Sequence, residues 1–374
     1  MIAPQIQRFF LFCSQQMCSS SRSSTMKKVI LRSLRTTKRP AYPFSVSNVT
    51  ISSATRVRCE SSKTTIGAHQ SKNLVSRVPR PTRKTATTSP DYVIAPRDSQ
   101  FVTLSDGRRI GYAVWGSTSP NAKIVCWPHG LPGSRLSVHS WDQWGKSTGL
   151  TFICPERPGY GLSTLKKTYS VFEHAGDIRD LMQHLGHRQY KLFGVSGGGP
   201  YALAVARLAS QGEVIGVLLV CPTTPPEGPQ TGQSIKSFFW EMKLTFLPQL
   251  AERDLRNDHE ADRKAWIAAP SNEIIRKRPK GAKILAYREG WSAFAGRIAD
   301  QKAMIRPWGF RLEDVDARKI IILAGGLDEN TASLGAQYMR NRLRNSTTIV
   351  KPGENHYSMQ INHDTCIKES LLGL

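Results

Sequence analysis

The chain has 374 residues, enough for one large α/β domain with an insertion or for two ordinary domains. Its 52 Lys and Arg against 28 Asp and Glu give a formal net charge of +24, and residues 1–90 carry +15 of it, with 16 basic side chains against Glu60 alone. The remainder is only modestly basic, which argues against nucleic-acid binding by a folded part, and no apolar run approaches the ~18 residues that a membrane-spanning helix needs.

Residues 1–90 are rich in Ser, Thr, Arg and Lys and lack sustained periodicity. Such a segment buries too little apolar surface to offset its chain entropy and is expected to be disordered. Its composition is that of a transit peptide, with a short amphipathic helix around Arg8, and the apolar stretch 9–12 is too short for a secretory signal. The expected address is mitochondrial, with a cytoplasmic protein and an internal start at Met26 as the alternative.

Folded sequence is expected from about residue 91. The runs 101–105 and 109–114 flank Asp106-Gly107, a two-strand hairpin signal. Short apolar strands follow at 122–127 and 151–154. Between 173 and 185, Ile178, Leu181, Met182 and Leu185 fall at i, i+3, i+4 and i+7, which predicts a helix with one buried face, stopped by Gly186. Residues 191–210 read as a buried strand, a glycine-crowded corner and a helix, and 214–220 as a further buried strand. From 222 to about 301 the spacing predicts helices without strands; 238–250 and 258–269 are amphipathic and too apolar to be a linker. A strand at 319–324, a helix at about 332–343, a strand at 347–350 and a terminal helix with Ile367 and Leu371 complete the chain. This alternation predicts a mostly parallel sheet covered by helices on both faces. The expected division is 1–90 extension, 91–221 first half of the core, 222–305 helical cap after the sixth strand, and 306–374 second half of the core.

The corner carries Gly194-Val195-Ser196-Gly197-Gly198, a G-x-S-x-G pattern that sets a serine hydroxyl clear of a sheet edge. The amide of Gly197, at a helix N-terminus, can stabilise negative charge developing beside that serine. Catalytic groups of open α/β sheets gather beyond the carboxyl ends of strands. Ser196, Asp328 and His356 each follow a predicted strand, in the Ser–Asp–His order that goes with this corner. Glu329 and Glu227 are rivals for the acid, and His363 for the histidine. The seven cysteines form no C-x-x-C pair, and Cys126, Cys154 and Cys221 fall in or beside apolar strands as small core fillers. His139, His174, His184, His187 and His259 cluster with neither Cys nor paired acids, so neither metal nor cofactor is expected.

With these motifs in place, residues 95–374 resemble the α/β-hydrolase superfamily. His129-Gly130-Leu131-Pro132-Gly133-Ser134-Arg135 is like the H-G-x-P-G-S-R oxyanion loop of its proline-iminopeptidase-like and esterase-like members, and the segment from Glu156 to Ser163 is like their D-R-P-G-Y-G-x-S. Pro307-Trp308-Gly309-Phe310 is similar to a subgroup of uncharacterised fungal and bacterial hydrolases. Three departures stand out: Glu156 where Asp is usual, Glu354-Asn355 ahead of the histidine, and no proline after Asp328.

The resemblance implies a Ser196 nucleophile, a His356 base and an Asp328 acid, with the amides of Leu131 and Gly197 as the oxyanion hole and His129 bracing that loop. A serine at the corner argues against haloalkane dehalogenase and epoxide hydrolase chemistry, which this fold runs with an aspartate there. The expected function is cofactor-free hydrolysis of a small ester, thioester, lactone or amide, esterase ahead of aminopeptidase; the alternative is a catalytically silent binding or signalling protein of the same fold. Activity is expected to fall below about pH 6.5 as a histidine base protonates.

Overall fold

The structure, a computed structural model, describes residues 95–229, 235–268, 289–329, 331 and 333–374. The basic extension expected over 1–90, with its transit-peptide reading, lies outside the described residues. Leu104 N donates to the Arg108 carbonyl across Gly107, at φ +83°, and this turn joins strands β1 (Gln100–Thr103) and β2 (Arg109–Gly116) as the expected hairpin. The other six strands are β3 (Lys123–Cys126), β4 (Leu150–Pro155), β5 (Tyr190–Val195), β6 (Val214–Val220), β7 (Ile320–Gly325) and β8 (Ser346–Lys351). They form one sheet in the order β1-β2-β4-β3-β5-β6-β7-β8, antiparallel at β1/β2 and β2/β4 and parallel elsewhere.

Every residue of β4 and β7 is buried, so the central strands are covered on both faces. Side-chain alternation along β5 sends Leu192 to one face, with Ile178, Leu181 and Tyr201, and Phe193 to the other, with Phe152, Leu218 and Leu371. The first layer comes from α2 (Val171–His184) and α3 (Gly199–Leu208), the second from α1 (Asp142–Thr148) and the C-terminal helices. Helix α2 begins two residues earlier than its apolar spacing predicts, because Ser170 and Glu173 form a reciprocal cap.

After β6 come α4 (Ile235–Phe246), α5 (Pro248–Ala268) and α6 (Phe294–Met304), and no strand intervenes before β7 among the described residues. The amphipathic stretch 238–250 covers most of α4 and the start of α5. Pro248 disfavours helical backbone at Leu247 and itself suits the first turn of α5. Leu244, Ala251, Leu255 and Ile298 join these helices in a separate small core.

The chain returns through β7, α7 (Ser333–Arg340) and β8, then ends in α8 (His356–Asn362) and α9 (Asp364–Leu372) where a single helix was expected. The buried Lys191 ammonium donates to the carbonyls of Leu371 (2.8 Å) and Leu372 (3.1 Å), pinning α9 beneath the sheet. No helix among the described residues is long and apolar enough to cross a membrane.

Phe193 is 1% exposed, with its ring 4.3 Å from that of Trp127 and 5.2 Å from that of Trp141. Phe193→Ala should lower the unfolding free energy by about 3–5 kcal/mol in urea denaturation; a loss below about 1 kcal/mol would contradict this packing.

Candidate active site

Strand β5 runs into the corner, where Ser196 sits at φ +53°, a left-handed backbone that residues with a side chain rarely adopt. The corner is that sharp because its glycines let backbones meet. A Cβ on Gly194 would lie 2.8 Å from the Gly199 Cα, and one on Gly198 only 2.2 Å from the Pro128 carbonyl oxygen. Register sets Val195 beside Val220 and Val220 beside Leu323, so the residues after β5, β6 and β7 emerge at one sheet edge.

His356 comes to this edge as the first residue of α8. Asn355 fixes that start, its Oδ1 accepting from the amides of Tyr357 (3.0 Å) and Ser358 (2.9 Å). This is the physical role of one departure from the family pattern. Its neighbour in the same departure, Glu354, accepts from Asn362 (3.1 Å) and meets His363 at 3.0 Å, which occupies the rival histidine away from the serine.

His356 Nε2 lies 3.0 Å from Ser196 Oγ, and Nδ1 lies 2.8 Å from Asp328 Oδ2. The bonding pattern assigns the proton of neutral His356 to Nδ1, donated to the carboxylate, leaving Nε2 to accept from the serine. Asp328 is 5% exposed and His356 7%. The rival acids Glu329 and Glu227 are exposed.

Thr331, which sequence reasoning missed, donates its amide to Asp328 Oδ1 (3.0 Å) and its hydroxyl to Oδ2 (2.6 Å). Burial alone would raise the Asp328 carboxyl, but the His356 bond and charge and the two Thr331 bonds together hold it at about 2. Only the spacing Asp328 to Thr331, that of a carboxylate capping an amide three residues on, could have signalled this.

Cys221, at the end of β6, is buried beside the same carboxylate. Burial first, then the Asp328 charge, push its thiol up to about 12, so it stays protonated. Among the described residues, Cys221, Asp328 and His356 are the one group of three or more His, Cys, Asp or Glu whose ligand-type atoms all lie within 4.8 Å of one another. His356 Nδ1 in that grouping is already bonded to Asp328.

The loop after β3 runs over the corner. A Cβ on Gly197 would lie 3.6 Å from the Leu131 amide nitrogen, and one on Gly130 would lie 3.7 Å from the Ser196 Cβ. The amides of Leu131 and Gly197 therefore belong to adjoining backbone beside the serine. His129 is fully buried, its Nδ1 2.9 Å from the Gly130 carbonyl oxygen, which can only accept. Burial, then the charge of Arg157, hold this imidazole well below the usual histidine range, so it is neutral. Glu156, standing where Asp is usual, accepts from Arg135 Nη1 (2.9 Å) and the Leu162 amide (2.7 Å) and braces the neighbouring turn. Its burial, opposed by Arg135, pushes the carboxyl up to about 7.

Residues 123–360 match the family model described as the α/β hydrolase fold. Among curated proteins, the chain is similar to a non-heme haloperoxidase from Rhodococcus erythropolis, 34% identical over 130 residues that make up 33% of this chain and 44% of that protein. The chain thus spans less than half the length of that relative. Among solved structures, it is similar to a hydrolase from Pseudomonas aeruginosa PA01, with a TM-score of 0.55 at 16% identity over 75% of this chain and 100% of that one. An esterase from Exiguobacterium antarcticum gives a TM-score of 0.53 at 18% identity, over 73% of this chain and 98% of the other. At such identities the likeness is one of fold, and it agrees with the sheet order and the serine corner. On the family match, which spans well over half its length, this chain belongs to the α/β-hydrolase fold family.

Proposed function

We propose that this protein is a serine hydrolase that cleaves a small carboxylic ester, or a related thioester, lactone or amide, through an acyl-enzyme. The observation that carries the reading is the continuous hydrogen-bonded path from Ser196 Oγ to His356 (3.0 Å) and on to Asp328 (2.8 Å), built on a strained strand-to-helix corner. A surface serine and histidine brought together by chance would have no reason to carry a buried carboxylate held ionised by two further hydrogen bonds from Thr331.

In the reaction, Ser196 Oγ attacks the substrate carbonyl carbon as its proton passes to His356 Nε2. The carbonyl oxygen becomes an oxyanion facing the amides of Leu131 and Gly197, and removing one such donor typically costs on the order of 3 kcal/mol of transition-state stabilisation. The tetrahedral species collapses, the leaving group takes the proton from His356, and Ser196 stays acylated. Water then gives a proton to His356 and attacks the acyl carbon; collapse frees the acid and returns the proton to Ser196. Asp328 keeps the imidazole in one tautomer and stabilises its charged form.

In this reading residues 91–221 and 306–374 form the catalytic core, and 222–305 form the cap that selects the substrate. Met304 of α6 supports this: its sulfur would lie 3.4 Å from a Cβ on Gly197, placing an apolar wall beside the serine with Leu131. Such a wall suits a carboxylic ester with an apolar acyl group.

A fluorophosphonate should label the purified protein, and Ser196→Ala should abolish the label while melting at nearly the same temperature. A folded protein that resists the reagent would favour the catalytically silent alternative. The pH profile supplies a second check. Asp328, held at about 2, stays ionised down to about pH 3, and its contribution to stability is complete above about pH 4 and lost as pH falls through about 2. Asp328 should therefore add no acid limb to kcat/KM on p-nitrophenyl butyrate above about pH 4. Loss of folding stability already between pH 6 and 4 that Asp328→Asn removes would contradict the ionised carboxylate.

A further inference from the structure

The oxyanion loop is gripped from outside by a buried charged cluster that the proposed mechanism does not use. Arg157, 1% exposed, donates from Nη1 to the His129 carbonyl and from Nη2 to the Gly130 carbonyl (3.0 Å). Its Nε donates to Asp300 Oδ2 at 2.8 Å. Asp300, on α6, has no exposed surface and also accepts from the hydroxyls of Tyr160 (2.9 Å) and Tyr201 (2.6 Å). Tyr201 lies on α3, the helix that the serine corner begins.

The Gly130 carbonyl and the Leu131 N–H belong to one planar peptide unit and point in opposite directions. Holding that carbonyl oxygen on Arg157 and His129 therefore directs the Leu131 N–H to the opposite side of the peptide plane. Gly130 has no side chain and permits many backbone conformations, so the orientation of this plane has to be imposed by its partners. We infer that Arg157 and Asp300 are positioning residues that aim the Leu131 amide at the oxyanion, and that through Asp300 the base of the helical insertion sets the geometry of the oxyanion hole.

Further contacts join the same two regions. A Cβ on Gly296 of α6 would lie 2.7 Å from the Gly159 carbonyl oxygen, and one on Gly290 would lie 2.5 Å from the Gly133 nitrogen. Glu289 accepts from Arg135 Nη1 at 3.0 Å. Residues 289–304 thus touch the oxyanion loop at Gly133 and Arg135 and the following turn at Gly159 and Arg157. A displacement of α6 that carried Asp300 with it would release the guanidinium fork, and with it the Leu131 peptide plane.

This inference rests on the serine-hydrolase reading, and its test separates the two. Wild type, Asp300→Asn and the double variant Arg157→Met/Asp300→Leu are compared, as full chains, for melting temperature, p-nitrophenyl butyrate kinetics and the rate of fluorophosphonate labelling. Asp300→Asn leaves a buried guanidinium without its counter-charge and is the variant more prone to misfold. The double variant removes both charges, and such apolar replacements are commonly neutral or stabilising.

A merely structural ion pair would regain activity in the double variant along with stability. The positioning role instead keeps kcat and the labelling rate at least about tenfold below wild type while KM stays within about threefold. A folded double variant with kcat within about twofold of wild type overturns the inference, as does a loss confined to KM. An unlabelled, inactive wild type would instead sink the hydrolase reading itself.

Discussion

The site depends first on the backbone at Ser196. A left-handed conformation at a residue with a side chain costs on the order of 1–3 kcal/mol and persists only where the surroundings over-determine it. Here they do: Gly194 lies against Gly199, Gly198 against the Pro128 carbonyl, and the Thr223 amide donates to the Ser196 carbonyl at 3.1 Å. Relaxing the corner would open these packed contacts. The strain is thus carried by the sheet–helix junction, and it leaves the hydroxyl facing His356 Nε2.

Around that corner, charge is distributed by what each group can reach. Asp328 is buried yet ionised, because His356 and two Thr331 donors satisfy it. His129 is neutral because burial first, and then the nearby Arg157 charge, disfavour its protonated form against the pull of the Gly130 carbonyl. Cys221 stays a thiol beside the Asp328 carboxylate. Each imidazole thereby has its own partners, His356 the serine and Asp328, and His129 the loop backbone.

The helices between β6 and β7 are more than a cover set over the sheet. Their own small core, around Leu244, Leu255 and Ile298, is separate, but α6 reaches the central layers through Asp300 and packs Ala299, Ala303 and Met304 against the main core. Asp300 joins α6, α3 and the turn after β4 in one buried knot. Fixed charges in a dry interior are unforgiving of displacement, so this knot ties the position of α6 to that of the serine corner.

The sheet, its parallel centre, the hairpin and the serine corner were legible because each rests on local regularity: alternation in strands, a 3.6-residue spacing in α2, and glycines where backbones meet. The order of Ser196, Asp328 and His356 was legible for the same reason, since each follows a strand whose carboxyl end could be read. The break at Pro248 was also written in the sequence, because a proline disfavours helical backbone at the residue before it. Only the folded chain put Asp328 rather than Glu329, one residue apart, beside His356, by turning the first inward and leaving the second exposed. It alone also put His356 rather than His363 beside Ser196, by capping α8 at Asn355 and pairing His363 with Glu354. The Arg157–Asp300 pair spans 143 residues and has no local signature, because an ion pair between distant segments exists only once packing has brought them together and removed the water between them.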